Sequence, residues 1–207
     1  MKAPLKLALV VVIVFSTYFA IVRVAEEKAN ALAGGGTFAL DARSPEELHA
    51  FAAVLDQLRR WGEPDLAGSL EQLQESGHLW VSPHLAGERS AIYVSALGLV
   101  SRVFVRRDEL INPELPFPDL DVPETAQRTF ATIRLAGTLY HEHQHLDGLE
   151  DEAETYDREI AWYERLRDAR VDRLEGEERH WFEWAVGSAV KSAAAAREKV
   201  EEADLES

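Results

Sequence analysis

Pro113, Pro116, Pro118 and Pro123 crowd one short stretch and divide the chain. Each fixes φ and lacks an amide donor, so residues 112–123 can be neither helix interior nor central strand and must cross the surface as a loop. Beyond that loop, residues 124–146 contain no proline. Phe130, Ile133, Leu135 and Leu139 recur there at helical separations, which predicts a long helix stopped by Gly148.

The flanking segments set the fold class. Ser44-Pro45-Glu46-Glu47 is a helix start, and Leu48, Phe51, Leu55, Leu58 and Trp61 follow at helical spacing. A shorter helix is expected over about 65–75, then extended segments near 78–82, 91–97 and 99–107, the last carrying Val100, Val103, Phe104 and Val105. Two further helices, near 150–174 and 177–200, complete an α+β reading, mostly helical with a small sheet. There is no internal repeat.

Lys2 and Lys6 precede an apolar run over 7–22 that Arg23 closes. With its neighbours this run approaches the ~20 residues of a membrane helix. It predicts an N-terminal transmembrane anchor, residues 1–25. A cleaved signal peptide is the competing reading, because Ala31-Leu32-Ala33 matches the small-residue cleavage pattern, although Arg23, Glu26, Glu27 and Lys28 separate it from the apolar run. Lys2, Lys6 and the terminal amine before the run, against Arg23 and Lys28 after it, favour a cytoplasmic N-terminus. The expected protein is single-pass in the cell membrane, with its domain on the extracytoplasmic side. Residues 26–41 include Gly34, Gly35 and Gly36 and read as a flexible tether, leaving 42–207 as the folded domain.

Composition removes several functions. A formal net charge of -15 gives a phosphate backbone nothing to bind, so nucleic acid is not an expected partner. The absence of cysteine excludes disulfides, thiolate metal sites and cysteine nucleophiles, leaving His, Asp and Glu as strong metal ligands.

Those ligands gather at one place. Two histidines four residues apart on a helix lie about one turn apart and are rotated by only ~40°, so both imidazoles reach one ion. His141 and His145 have this spacing, while His143 stands off their face. Beyond them lies an acid-rich stretch, Glu150, Asp151, Glu152 and Glu154, with Tyr156 beside it.

The run His141-Glu142-His143-Gln144-His145 resembles the active-site helix of zincin metallopeptidases, which carry His-Glu-x-x-His. The resemblance implies a minimal zincin-like domain holding Zn2+ through His141 and His145, with Glu142 as general base for an attacking water. The residues after His145 are similar to two zincin subgroups. The metzincin layout, continued through Gly148, would make Asp151 the third ligand. The gluzincin layout, with Glu152 and Tyr156 on the next helix, would make it Glu152, and this reading is favoured because a helical glutamate can lean back across a tight turn. Glu154 and Glu159 are outer possibilities, and Tyr156 or His180 could donate to the transition state. The resemblance implies a membrane-anchored zinc hydrolase of the peptidase type. Its substrate would be a peptide, a protein or a cell-envelope component lying along the strand near Val103. The alternative is a non-catalytic, membrane-anchored protein-interaction domain that retains a structural or relic zinc site, where Glu142 would be dispensable.

Overall fold

The computed structural model describes residues 3–85, 90–113 and 122–206, with side chains described from Val12 to Ala203. Most of the proline-rich loop, 114–121, lies outside the described residues. The chain is mostly helical with a four-stranded mixed sheet. In order it forms α1 (Ala3–Leu32), β1 (Phe38–Ala39), α2 (Pro45–Trp61), α3 (Pro64–Glu75), β2 (Leu79–Ser82), β3 (Ala91–Ala96) and β4 (Val100–Arg106). The short α4 (Arg107–Ile111) leads to α5 (Glu124–Leu146), α6 (Glu152–Val171) and α7 (Gly176–Glu206).

Strand order is β1-β2-β4-β3. β2 runs parallel to β4, and β3 pairs antiparallel with β4 through Ala91↔Val105, Tyr93↔Val103 and Ser95↔Ser101. Side chains alternate across a strand, so β4 feeds two cores. Val103 and Val105 join the main one, with Phe51, Leu58, Leu79, Ile133, Leu139 and Trp162. Phe104 and Val100 face the other way, with Val94 and Ala96, and there α1 covers them through Ala25, Ala29 and Ala33. Helix α5 lies on the main-core face against β3 and β4, with α6 and α7 packed on it.

Two expectations are corrected here. The segment expected as a tether, 26–41, is structured: α1 continues through it to Leu32, and β1 then pairs with β2 through Phe38↔Val81 and Ala39↔Trp80. Arg102 on β4, stacked over Trp80, reaches α1 at Glu26 with a 2.9 Å ion pair, and Ser82 Oγ donates to the Ala33 carbonyl at 2.6 Å. The glycine run is a tight turn, where each residue has positive φ and a Cβ on Gly34 would fall 2.0 Å from the His84 carbonyl oxygen. The second correction concerns Val103: it is fully buried on the interior strand β4, paired on both sides, so no substrate can lie along it. The edge strand is β3.

No helix among the described residues is long and apolar enough to cross a membrane. Side chains 1–11 of the expected anchor lie outside the described residues. Val12, Ile13, Val14, Phe15, Tyr18, Phe19, Ile21 and Val24 are all exposed on α1.

Candidate metal centre

Helix α5 ends at Leu146, and Gly148, at φ 96°, turns the chain back within a few residues. The amide of Leu149 closes the helix end by donating to the Gln144 carbonyl at 3.0 Å. Asp151 then starts α6 as its N-cap, its carboxylate accepting from the Glu154 amide at 2.9 Å and its carbonyl from the Thr155 hydroxyl. That use fixes Asp151 as a cap and leaves Glu152, the first helical residue, directed at α5.

His141, His145 and Glu152 thereby converge. Their donor atoms all lie within 4.8 Å of one another. The two Nε2 atoms are 3.2 Å apart, and the Glu152 carboxylate oxygens stand 3.2 Å from His141 Nε2 and 3.4 Å from His145 Nε2. An ion ~2.0–2.1 Å from tetrahedrally disposed donors holds them ~3.3–3.4 Å apart. Each spacing, taken to the Glu152 oxygen facing that ring, is close to an edge of such a tetrahedron.

The other ring nitrogens decide what the Nε2 atoms offer. His141 Nδ1 lies 3.2 Å from a Glu159 carboxylate oxygen and His145 Nδ1 lies 2.6 Å from the Leu149 carbonyl. Both partners only accept, so both Nδ1 atoms carry hydrogen and donate. In the neutral imidazoles this directs both Nε2 lone pairs into the shared space, where only a cation, metal or proton, can reconcile them. Carboxylate and carbonyl partners of this kind orient metal-binding histidines. Glu159 is itself buried and accepts from the Tyr163 hydroxyl at 2.7 Å. Tyr163 crosses α5 where only glycine leaves room: a Cβ on Gly137 would sit 2.0 Å from its oxygen.

Without a metal, protons take that place. Burial opposes a charge on His141, but hydrogen bonds to Glu152 and Glu159 outweigh it and raise its pKa to about 9. Glu152 hydrogen bonds raise His145 as well, against burial. Glu152, hydrogen-bonded to both histidines, is held well below the usual carboxylate range. His141 is raised in the folded state, so its contribution is present in full below about pH 6.5 and is lost as pH rises through about 9. Chelator-treated protein is accordingly expected to lose on the order of a few kcal/mol of stability across that window. Thermal unfolding at stepped pH checks this, and a melting temperature that rises from pH 7 to 9 would contradict it.

Glu142 points to the sheet. Its carboxylate accepts the Tyr93 amide of β3 at 2.6 Å, and burial raises its pKa while His141 and the Tyr93 amide pull it back. Tyr93 also stacks along His145, with ring centroids 6.1 Å apart, and Tyr156 lies against His141 at 4.4 Å. All of these residues line one cavity of about 1100 Å³ between β3, α5, α6 and the end of α7.

Other residues singled out in the sequence lie outside the donor group. His143 pairs with Asp147 at 3.0 Å, Glu154 pairs with Arg158 at 2.6 Å, and His180 is exposed against Trp181, away from the cavity. Sequence reasoning missed Tyr93 and Gly137, and it missed the role of Tyr163 at this site. Gly137 lies one turn before His141 and Tyr163 one turn after Glu159, and that spacing is the only signal they give.

No family model, curated protein or solved structure matches this chain.

Proposed function

We propose that this protein is a zinc-dependent hydrolase of the zincin peptidase type, held at a membrane by the N-terminal apolar run. One observation carries the reading: two histidines one helical turn apart and a glutamate from the next helix bring donor atoms within 4.8 Å of one another, with both Nδ1 atoms committed elsewhere. The donor set is nitrogen and oxygen, which suits zinc, and three protein ligands leave a position open for chemistry. When bound, the ion supplies a Lewis acid that polarises a carbonyl and acidifies a water.

The chain's own residues do the rest. His141, His145 and Glu152 hold the ion, Glu159 and Leu149 orient the rings, and Tyr163 steadies Glu159. Glu142 takes the proton of an attacking water on its carboxylate and returns it to the leaving amine, a role its burial favours by raising its basicity. Tyr156, on the cavity wall beside His141, is placed to donate to the developing oxyanion. β3, the edge strand among the described residues, offers backbone groups to an extended peptide. The hydrogen bond from Tyr93 to Glu142 also suits a second reading, in which the carboxylate ties the sheet to α5 and the metal is structural.

Elemental analysis of the full-length protein in detergent tests the centre. About one zinc per chain is expected, with His145→Ala and Glu152→Ala both losing it. A wild-type chain that stays empty after zinc reconstitution would end the hydrolase reading. A chain whose zinc survives Glu152→Ala would move the third ligand elsewhere.

A further inference from the structure

The cavity around the donor group continues along α5 to Arg134. Seven residues before His141, Arg134 lies two turns away on nearly the same face, ~10 Å along the axis. The start of β3 lines the same end, through Ser90 and Ala91. The Ser90 carbonyl accepts from the Arg106 amide at 2.8 Å, and the guanidinium of Arg106 shares Glu109 with Arg134, which places Ser90 beside that cluster. From Tyr93, opposite Glu142, back to Ser90 is three residues of strand, again ~10 Å. The helix thus gives ~10 Å from His141 to Arg134, and the strand ~10 Å from Tyr93 to Ser90.

Arg134 is incompletely used by the protein. Of its five N–H donors, the only one with a hydrogen-bond partner among the described residues is on Nη2, which reaches Glu109 at 2.5 Å. Its Nε is buried without a partner. Glu109 is a buried carboxylate that also accepts from Arg106 at 2.6 Å, while Arg106 has a second carboxylate in Asp108 at 2.7 Å, so Arg134 shares its ion-pair partner with a neighbouring guanidinium. The side chain nevertheless keeps 28% of its surface exposed. A cation with spare donors on a cavity wall fits a planar anion. At the other end, Glu142 and Glu152 disfavour one.

The backbone of β3 supplies the ruler that connects the two ends. The Tyr93 amide points away from β4, and the pleat turns the backbone of Ala91 the same way, toward the open edge. An extended chain laid on that edge with one peptide bond at Glu142 reaches Arg134 about three residues further on. We propose that Arg134 is a specificity-determining residue that receives a carboxylate about three residues from the cleaved bond, on the side toward Ser90; this rests on the peptidase reading above.

The test digests a peptide library with the full-length, zinc-loaded protein in detergent and reads the cleaved bonds by mass spectrometry. Bonds with a carboxylate two to four residues away are expected to be enriched about ten- to hundredfold, the range of a charge-assisted hydrogen bond. Duplicate libraries with free and amidated C-termini separate a terminal carboxylate from an Asp or Glu side chain. Arg134→Gln is expected to abolish the enrichment and Arg134→Lys to keep part of it, with zinc content and thermal unfolding showing that both variants fold. Cleavage without enrichment, or enrichment that survives Arg134→Gln, overturns the assignment while leaving the peptidase reading intact. A zinc-loaded protein that cleaves no peptide overturns both. The wild-type comparison stands even if a variant fails to fold.

Discussion

Glu142→Gln is expected to keep its zinc and lose about 10²- to 10⁴-fold in peptide cleavage, the usual worth of a positioned general base. The substitution is nearly isosteric. The amide oxygen of glutamine can still accept the Tyr93 amide that Glu142 accepts at 2.6 Å, so the contact between α5 and β3 survives. Glu142 is outside the group of converging donors, so zinc content should not change. What disappears is basicity, and with it the carboxylate that, among the described residues, lies between the histidines and the Tyr93 amide of β3. Zinc content and cleavage rate measured on the same preparation separate the two readings of this residue. Zinc retained with activity lost supports the hydrolase. Zinc and cleavage both unchanged would mean that some other group moves the proton. A loss of thermal stability at full zinc content would mark Glu142 as a tie between helix and sheet.

The elements that carry the centre were legible because their signals are local. Proline spacing and apolar periodicity place α5, Gly148 ends it, and a pair of histidines one turn apart needs only the helix to be meaningful. Glu152 was legible for a similar reason: a short link fixes which acid can reach back, and the structure shows Asp151 occupied as a helix cap. Glu159 was legible only as one of several acids beyond Glu152, and the role of Tyr163 was not legible. Both lie on α6 among interleaved arginines and acids, a pattern identical to that of a solvated face, and their role exists only once α5 is packed against them. Arg134 is the same case, an arginine on α5 whose ion-pair partner, Glu109, comes from α4. The strand over 99–107 was legible as buried, but the placement of substrate along it failed in an instructive way. Val103, Phe104 and Val105 drew attention as the most apolar strand, but a continuous apolar run marks a strand buried on both faces, hence an interior one. The edge that can bind an extended chain is the more polar β3.

Shortening the protein to begin at Ala42 is expected to destroy its stability rather than release a free domain. The glycine run suggests a dispensable tether, yet two elements of the fold, α1 and β1, lie before that point. Ala25, Ala29 and Ala33 are fully buried at helical spacing against Val94, Ala96, Val100 and Phe104, and removing them uncovers that whole side of the sheet. β1 goes as well, which turns β2 into an open edge. Leu40, almost completely buried in the main core, goes with it, along with the carbonyl that Gln74 donates to at 3.0 Å. Arg102 loses Glu26 on α1, and Ser82 loses the Ala33 carbonyl just past its end. Full exposure costs ~1.5–3 kcal/mol for each large apolar side chain. The losses at Phe104, Val94, Val100 and Leu40 together therefore approach the ~5–15 kcal/mol that holds a domain folded. The uncovered sheet face and open edge also favour aggregation. A chain beginning near Val24 keeps every one of these contacts and omits most of the exposed apolar residues of α1. Gel filtration and thermal unfolding of the two shortened proteins decide the matter. A cooperative, monomeric protein is expected from the Val24 start and an aggregated or non-cooperative one from Ala42, and equal melting temperatures would mean that α1 and β1 contribute nothing to the fold.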